Sequence, residues 1–189
     1  MSERFNLINI IIGRRGSGKT YFTKKRLFPI YKKKGMKILI IDTFAHPAYT
    51  EVPRIFPNQI PRWKNGVYRM YGHHFDNEVL PAIAQLTNCF IVFEDAKKYV
   101  RQKVQEELTK LCIDSKQKNL DLLFLYHTWG FVPPDLIRVA DFIEVFPTAD
   151  SPEVRKQQII GVFQEALEVH KAVHSAKTPW PHKTIDLRN

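Results

Sequence analysis

At 189 residues, with 44% hydrophobic and 25% charged side chains, the chain fits one soluble globular domain with a sizeable core and excludes a low-complexity polymer. No apolar run reaches the roughly 20 residues of a membrane span, and the N-terminus lacks a signal-peptide apolar region. Its 29 Lys and Arg against 19 Asp and Glu give a formal charge of +10, a field that favours polyanionic partners, nucleic acid first. A lysine-rich solubilising surface would carry the same charge. The two cysteines, Cys89 and Cys112, sit in apolar patterns and read as reduced core residues of a cytoplasmic protein.

In chain order, Leu7 to Ile12 predicts a strand buried on both faces, as in a parallel sheet. It runs into Gly13-Arg14-Arg15-Gly16-Ser17-Gly18-Lys19-Thr20, which is G-x-x-x-x-G-K-[ST] set between a strand and a helix. Glycines there let backbone N–H groups turn inward around phosphate oxygens. Lys19 would reach the β- and γ-phosphates, and the Thr20 hydroxyl would ligate Mg²⁺. Gly13 through Thr20 therefore read as a nucleoside triphosphate loop; a plain Gly-rich turn before a helix is the alternative. The helix should run to about Phe28, where Pro29 limits it, with Gly35 closing the connection. Clusters at Lys24-Lys25-Arg26 and Lys32-Lys33-Lys34 should decorate its solvent face and the following turn.

A second buried strand is expected over Met36 to Asp42. An irregular excursion follows from Thr43 to Arg62, where four prolines hold their preceding residues extended. Val67 to Tyr71 reads as a short strand, and Asn77 to Leu86 as a helix with Pro81 in its first turn. Cys89 to Phe93 is another buried strand, ending in Glu94-Asp95. Val104, Leu108, Leu111 and Cys112 mark one face of a helix, and Leu120 to Tyr126 is the next strand. Pro133-Pro134-Asp135 opens a short helix, and Ala140 to Phe146 ends the strand series. Glu153 to Ser175 reads as a single amphipathic helix, with Thr178-Pro179-Trp180-Pro181 extended beyond it. Strands alternating with helices imply right-handed crossovers and an α/β P-loop NTPase fold: a doubly wound, mainly parallel sheet flanked by helices. The core would span 1–150, with 151–189 a C-terminal helix and tail packed on it or extending from it.

Chemistry should gather at the carboxyl edge of that sheet. Glu94-Asp95 after an apolar strand has the form of a Walker B motif in reversed order. Glu94 would share the metal with Thr20, and Asp95 would polarise the attacking water. A solvated acidic pair capping a strand is the bland reading. His127 ends its strand where a polar group can touch the γ-phosphate or the lytic water. Lys116, in the basic turn Ser115-Lys116-Gln117-Lys118-Asn119, is the first candidate for a cation acting on a neighbouring subunit's γ-phosphate, and Arg101 the second. The same basic residues also suit a helix C-terminus. Asp42 is either a charge near the nucleotide or a strand-end cap. Zinc spacing is absent, His73-His74 having no matching cysteine pair.

The Walker A strand, an Ile-Asp-terminated second strand, and an apolar Walker B strand ending in two carboxylates come in that order. A helix, a basic turn and Asn119-Leu120-Asp121-Leu122-Leu123-Phe124-Leu125-Tyr126-His127 follow. Together, over roughly residues 5 to 148, these resemble the FtsK–HerA superfamily of DNA-pumping ATPases. In size the chain is similar to the genome-packaging ATPases of membrane-containing icosahedral viruses, with the zonula occludens toxin-like ATPases as near relatives. His127 stands where that family carries glutamine, and Lys116 where it carries the trans-acting arginine, a departure at both positions. The resemblance implies an ATP- and Mg²⁺-dependent motor, a homo-oligomeric ring (a hexamer) moving double-stranded DNA without reading sequence. It also implies a capsid or membrane-protein partner and a site in the host cytoplasm or the virion. A small-molecule P-loop kinase, with Pro47 to Arg62 as its lid, and a nucleotide-dependent switch or adaptor are the competing readings.

Overall fold

The computed structural model describes residues 6–42 and 45–188. Strand β1 (Ile8–Ile12) leads through the glycine-rich loop into α1 (Lys19–Phe22) and α2 (Phe28–Lys33). The helix does not stop at Pro29 as expected. Pro29 has no N–H for the Lys25 carbonyl, and a π-type segment, Thr23–Leu27, widens the helix just ahead of it so that the proline enters the first turn of α2. The same device recurs where the π-type segment Phe75–Val79 precedes Pro81 in α3 (Leu80–Ile83).

Strands β2 (Lys37–Ile41) and β3 (Val67–Met70) are joined by the proline-rich excursion, which folds into two 3₁₀ turns, Pro47–Tyr49 and Pro57–Arg62. Tyr49, Val52, Ile55 and Ile60 of this segment are buried, so it is part of the core and not a free lid. Thr43 and Phe44 lie outside the described residues. β4 (Cys89–Phe93), α4 (Glu106–Lys118) and β5 (Leu120–Tyr126) follow, then α5 (Pro134–Val139) and β6 (Phe142–Val145).

The last segment departs most from expectation. In place of one long helix there are 3₁₀ turns at Pro152–Arg155 and Ile160–Val162 before α6 (Phe163–Ser175). Arg155 reaches back to the carbonyls of Val132 (3.0 Å) and Gly130 (2.7 Å), and Gly161, inside the second turn, weakens helix formation there. The strand series also does not end at Phe146. β7 (Lys183–Asp186) pairs antiparallel with β6, with only Ile185 of the four buried.

Among the described residues seven strands lie in the order β3-β2-β4-β5-β1-β6-β7, all parallel but β7. Side chains alternate between two apolar layers. One holds Ile11, Ile38, Ile40, Phe90 and Val92 against Phe28 and Tyr31 of α2; the other holds Ile10, Ile12, Leu39, Ile91 and Phe124 with α3 to α6. Tyr31 stacks on Phe90 at 3.8 Å, which fixes α2 to the sheet, and on the other face Phe93 of β4 stacks on Phe124 of β5 at 4.3 Å. Cys89 and Cys112 are free and buried. Among the described residues no helix is long and apolar enough to cross a membrane.

Candidate nucleotide site

β1 has β5 on one side and β6 on the other, so its carboxyl end opens between two neighbouring strand ends. The loop that follows is tied to both: Gly13 N–H donates to the Tyr126 carbonyl (3.1 Å) and Arg14 N–H to that of Pro147 (2.8 Å). Gly16 and Gly18 have left-handed backbones, at φ 77° and 99°, which other residues adopt only with strain. At Gly13 the constraint is space, since a Cβ would stand 2.5 Å from that of Phe146. Ser17 Oγ is buried inside the loop without a hydrogen-bond partner, a polar atom of the kind a phosphate oxygen satisfies. Arg14, Arg15 and Gly16 form the exposed lip.

Lys19 is buried and its ammonium donates to the carbonyls of Gly13 (2.5 Å) and Arg14 (3.2 Å). It also stands 3.3 Å from His127 Nδ1. Burial pushes its pKa down to about 8, against the opposing pull of Glu94 and Asp95. Thr20 Oγ1 donates to Glu94 Oε1 at 3.3 Å. The hydroxyl and carboxylate thus lie side by side as hard oxygen donors suited to Mg²⁺. Among the described residues no cluster of three or more His, Cys, Asp or Glu could hold a metal ion, so an ion here would take its other ligands from phosphate and water.

Glu94 is buried, and desolvation raises its pKa; hydrogen bonding from Tyr49 and the nearby charges of His46 and Lys19 work the other way. Tyr49, wholly buried, donates its hydroxyl to Glu94 Oε2 at 2.8 Å. Tyr99 anchors the same strand end through the carbonyls of Glu94 (3.0 Å) and Ile41 (3.3 Å). Asp95 turns away from its neighbour because its backbone is left-handed, at φ 50°. Its carboxylate meets Lys98 Nζ at 2.7 Å and His127 Nε2 at 3.5 Å. Burial, and then the charge of Lys19, lower the His127 pKa and favour the neutral ring at neutral pH. With a cation at Nδ1 and a carboxylate at Nε2, the tautomer carrying its proton on Nε2 suits both partners.

Lys19, Thr20, Glu94, Asp95 and His127 are therefore brought together. Lys116 is not among them. It lies exposed in the last turn of α4, which feeds the amino end of β5, while the loop sits at the carboxyl ends. A seven-residue strand separates the two edges by roughly 20 Å. Arg101 is on the loop's side of the sheet and pairs with Asp76. Asp42 is buried and accepts the His46 N–H at 2.6 Å, the strand-end cap of the two readings. Sequence reasoning missed Tyr49 and Tyr99. The hint of Tyr49 in the sequence was a large aromatic directly after His46-Pro47-Ala48 in the proline-rich excursion.

Neither a protein-family model nor a curated protein sequence matches the chain. Its fold is similar to that of the genome packaging NTPase B204 from Sulfolobus turreted icosahedral virus 2, solved in complex with ATP-gammaS. The TM-score is 0.77 at 18% identity, over 96% of this chain and 92% of that one. It is also similar to VirB4 of Thermoanaerobacter pseudethanolicus, with a TM-score of 0.60 at 10% identity over 96% and 89% of the two chains. The cytoplasmic domain of the Thermomonospora curvata type VII secretion ATPase EccC matches with a TM-score of 0.64 at 12% identity, over 96% of this chain and 24% of that one. At these identities the likeness is one of fold. The chain has the P-loop NTPase fold.

Proposed function

We propose that the chain is an ATPase subunit of a DNA-translocating motor, working as a homo-oligomeric ring, a hexamer, that packages a viral genome. One observation carries the hydrolytic reading: a P-loop lysine and threonine, two carboxylates and a neutral histidine meet within hydrogen-bond reach at one strand edge. A phosphate-binding adaptor needs no such pair of carboxylates. A small-molecule kinase needs a mobile lid, and the segment expected to supply one is packed into the core.

In this reading backbone N–H groups of the loop beyond Arg14 wrap the β-phosphate, and Lys19 moves its contacts from the loop carbonyls to the β- and γ-phosphate oxygens. Thr20 and Glu94 would hold Mg²⁺, which when bound neutralises charge on those oxygens. Asp95 accepts a proton from the attacking water, and His127, hydrogen-bonded between Asp95 and Lys19, orients that water and senses the γ-phosphate. The remaining charge in the transition state is met by Lys116 of a neighbouring copy, whose sheet would present its amino edge to this site. Double-stranded DNA is gripped through its phosphates by the basic surface, independently of sequence. The C-terminal region would be the place for a capsid or membrane-protein partner.

The test is phosphate release with and without double-stranded DNA, together with particle size in the presence of an ATP analogue. Lys19→Ala should abolish turnover, and DNA stimulation should fade as salt rises. Normal turnover in Lys19→Ala would sink the proposal, and a rate indifferent to DNA and salt would remove its DNA component.

A further inference from the structure

Two aromatic rings stand exposed beside the phosphate loop where they fill no core. Tyr21 and Trp180 are 49% and 47% exposed, with ring centroids 4.6 Å apart at 37°. Trp180 arrives from the tail between α6 and β7, and its side chain lies directly on the loop. A Cβ built at Gly18 would stand 2.6 Å from Trp180 Cβ and Cγ. The tail is anchored on both sides of this contact. Two residues on, His182 stacks on Phe146 (4.9 Å, 16°) and meets Phe22 (4.7 Å), and β7 then pairs with β6. Trp180 itself has a left-handed backbone, φ 54°, between Pro179 and Pro181, so its ring is held in place and does not drift as a loose end would.

The sheet order gives this pair a direction. Glu94, Asp95 and His127 lie on the β4–β5 side of β1, and the tail lies on its β6–β7 side. A triphosphate whose γ end sits among Lys19, Asp95 and His127 must lead its ribose across Gly18 toward the opposite side, where Trp180 and Tyr21 stand. We infer that Trp180, with Tyr21, forms the seat for the base of the bound nucleoside triphosphate, so that the tail after α6 is part of the nucleotide site. The inference rests on the triphosphate reading of the loop and extends it to the base. An exposed face of an aromatic ring takes a base by stacking, whichever base edge it presents.

The experiment compares ATP with inorganic tripolyphosphate, which has the phosphates and no base, by calorimetric titration of the full chain. Trp180→Ala should weaken ATP binding by roughly tenfold or more and leave tripolyphosphate within about twofold, and Trp180→Phe should keep most of the ATP affinity. Equal weakening of both ligands would make Trp180 a mere support of the loop and overturn the inference. Unchanged ATP binding with an altered particle size would overturn it in favour of a contact between copies. Lys19→Ala should weaken both ligands. If it weakened neither, the triphosphate reading itself would fall, an outcome distinct from failure of the base seat.

Discussion

Replacing Tyr49 with Phe removes one oxygen from a wholly buried ring and keeps its volume, so the core around it should persist. What is lost is the 2.8 Å hydrogen bond to Glu94 Oε2. A hydrogen bond to a buried charged group contributes on the order of 1.5–3 kcal/mol, and about 1.4 kcal/mol corresponds to one pKa unit. Burial already holds Glu94 above the ordinary carboxylate range, and the tyrosine is the first of the groups pulling it back. Without that donor its pKa should climb further. If the ionised Glu94 is what turnover requires, the acid limb of the phosphate-release profile should move to higher pH, with rates on that limb falling by roughly ten- to a hundredfold. The variant would be slow near neutral pH and recover part of its rate in alkali. Rates measured from about pH 5 to about pH 9 for both proteins read this directly. Coincident acid limbs with equal plateaus would refute the idea that Tyr49 keeps Glu94 charged.

Two further outcomes are expected. Asp121 is buried in β5, where it accepts the Leu7 N–H, and burial raises its pKa to about 6 from 3.8. A raised acid supports the fold fully below its unfolded pKa and loses that support as pH rises through the folded one. Asp121→Asn should therefore be the more stable protein at alkaline pH, by up to about 3 kcal/mol, with the advantage vanishing toward about pH 4. Urea unfolding across that range checks it, and a pH-independent difference would count against it. Lys116→Ala should lower assembled turnover by roughly a thousandfold or more while leaving ATP affinity intact. Mixed with Lys19→Ala protein it should regain activity, because each variant supplies the half-site the other lacks; a mixture as inactive as its parts would point away from Lys116.

The fold was legible wherever short runs dominated by apolar residues ended at turn signals. Cys89–Phe93 and Leu120–Tyr126 read from sequence with the bounds they have in the structure, because their length and their β-branched and aromatic content suit strands buried on both faces. Pro29 misled because a helix can widen by one residue ahead of a proline, and no local signal announces that. The 151–162 stretch misled because Arg155 is held by distant carbonyls of Gly130 and Val132, and β7 was hidden because one buried residue, Ile185, makes no alternation. Of the site, the loop and the Glu94-Asp95 and His127 strand ends were legible since motif and strand termini coincide. Tyr49 was not, because what makes it part of the site is a partner 45 residues along the chain.

The contacts of the phosphate loop also have an order in time. β1 and the loop precede every other strand of the sheet in the chain, yet Gly13 is fixed by the end of β5, Arg14 by Pro147 after β6, and Gly18 lies under Trp180 near the end of the described chain. Such long-separation contacts form late, after loop-closure entropy has been overcome. During synthesis the loop would therefore wait, open, until the chain as far as Trp180 has emerged. A nascent or prematurely ended chain would carry the whole Gly13–Thr20 motif and still lack a finished cradle. Competence to take up nucleotide would then report that synthesis has passed Trp180.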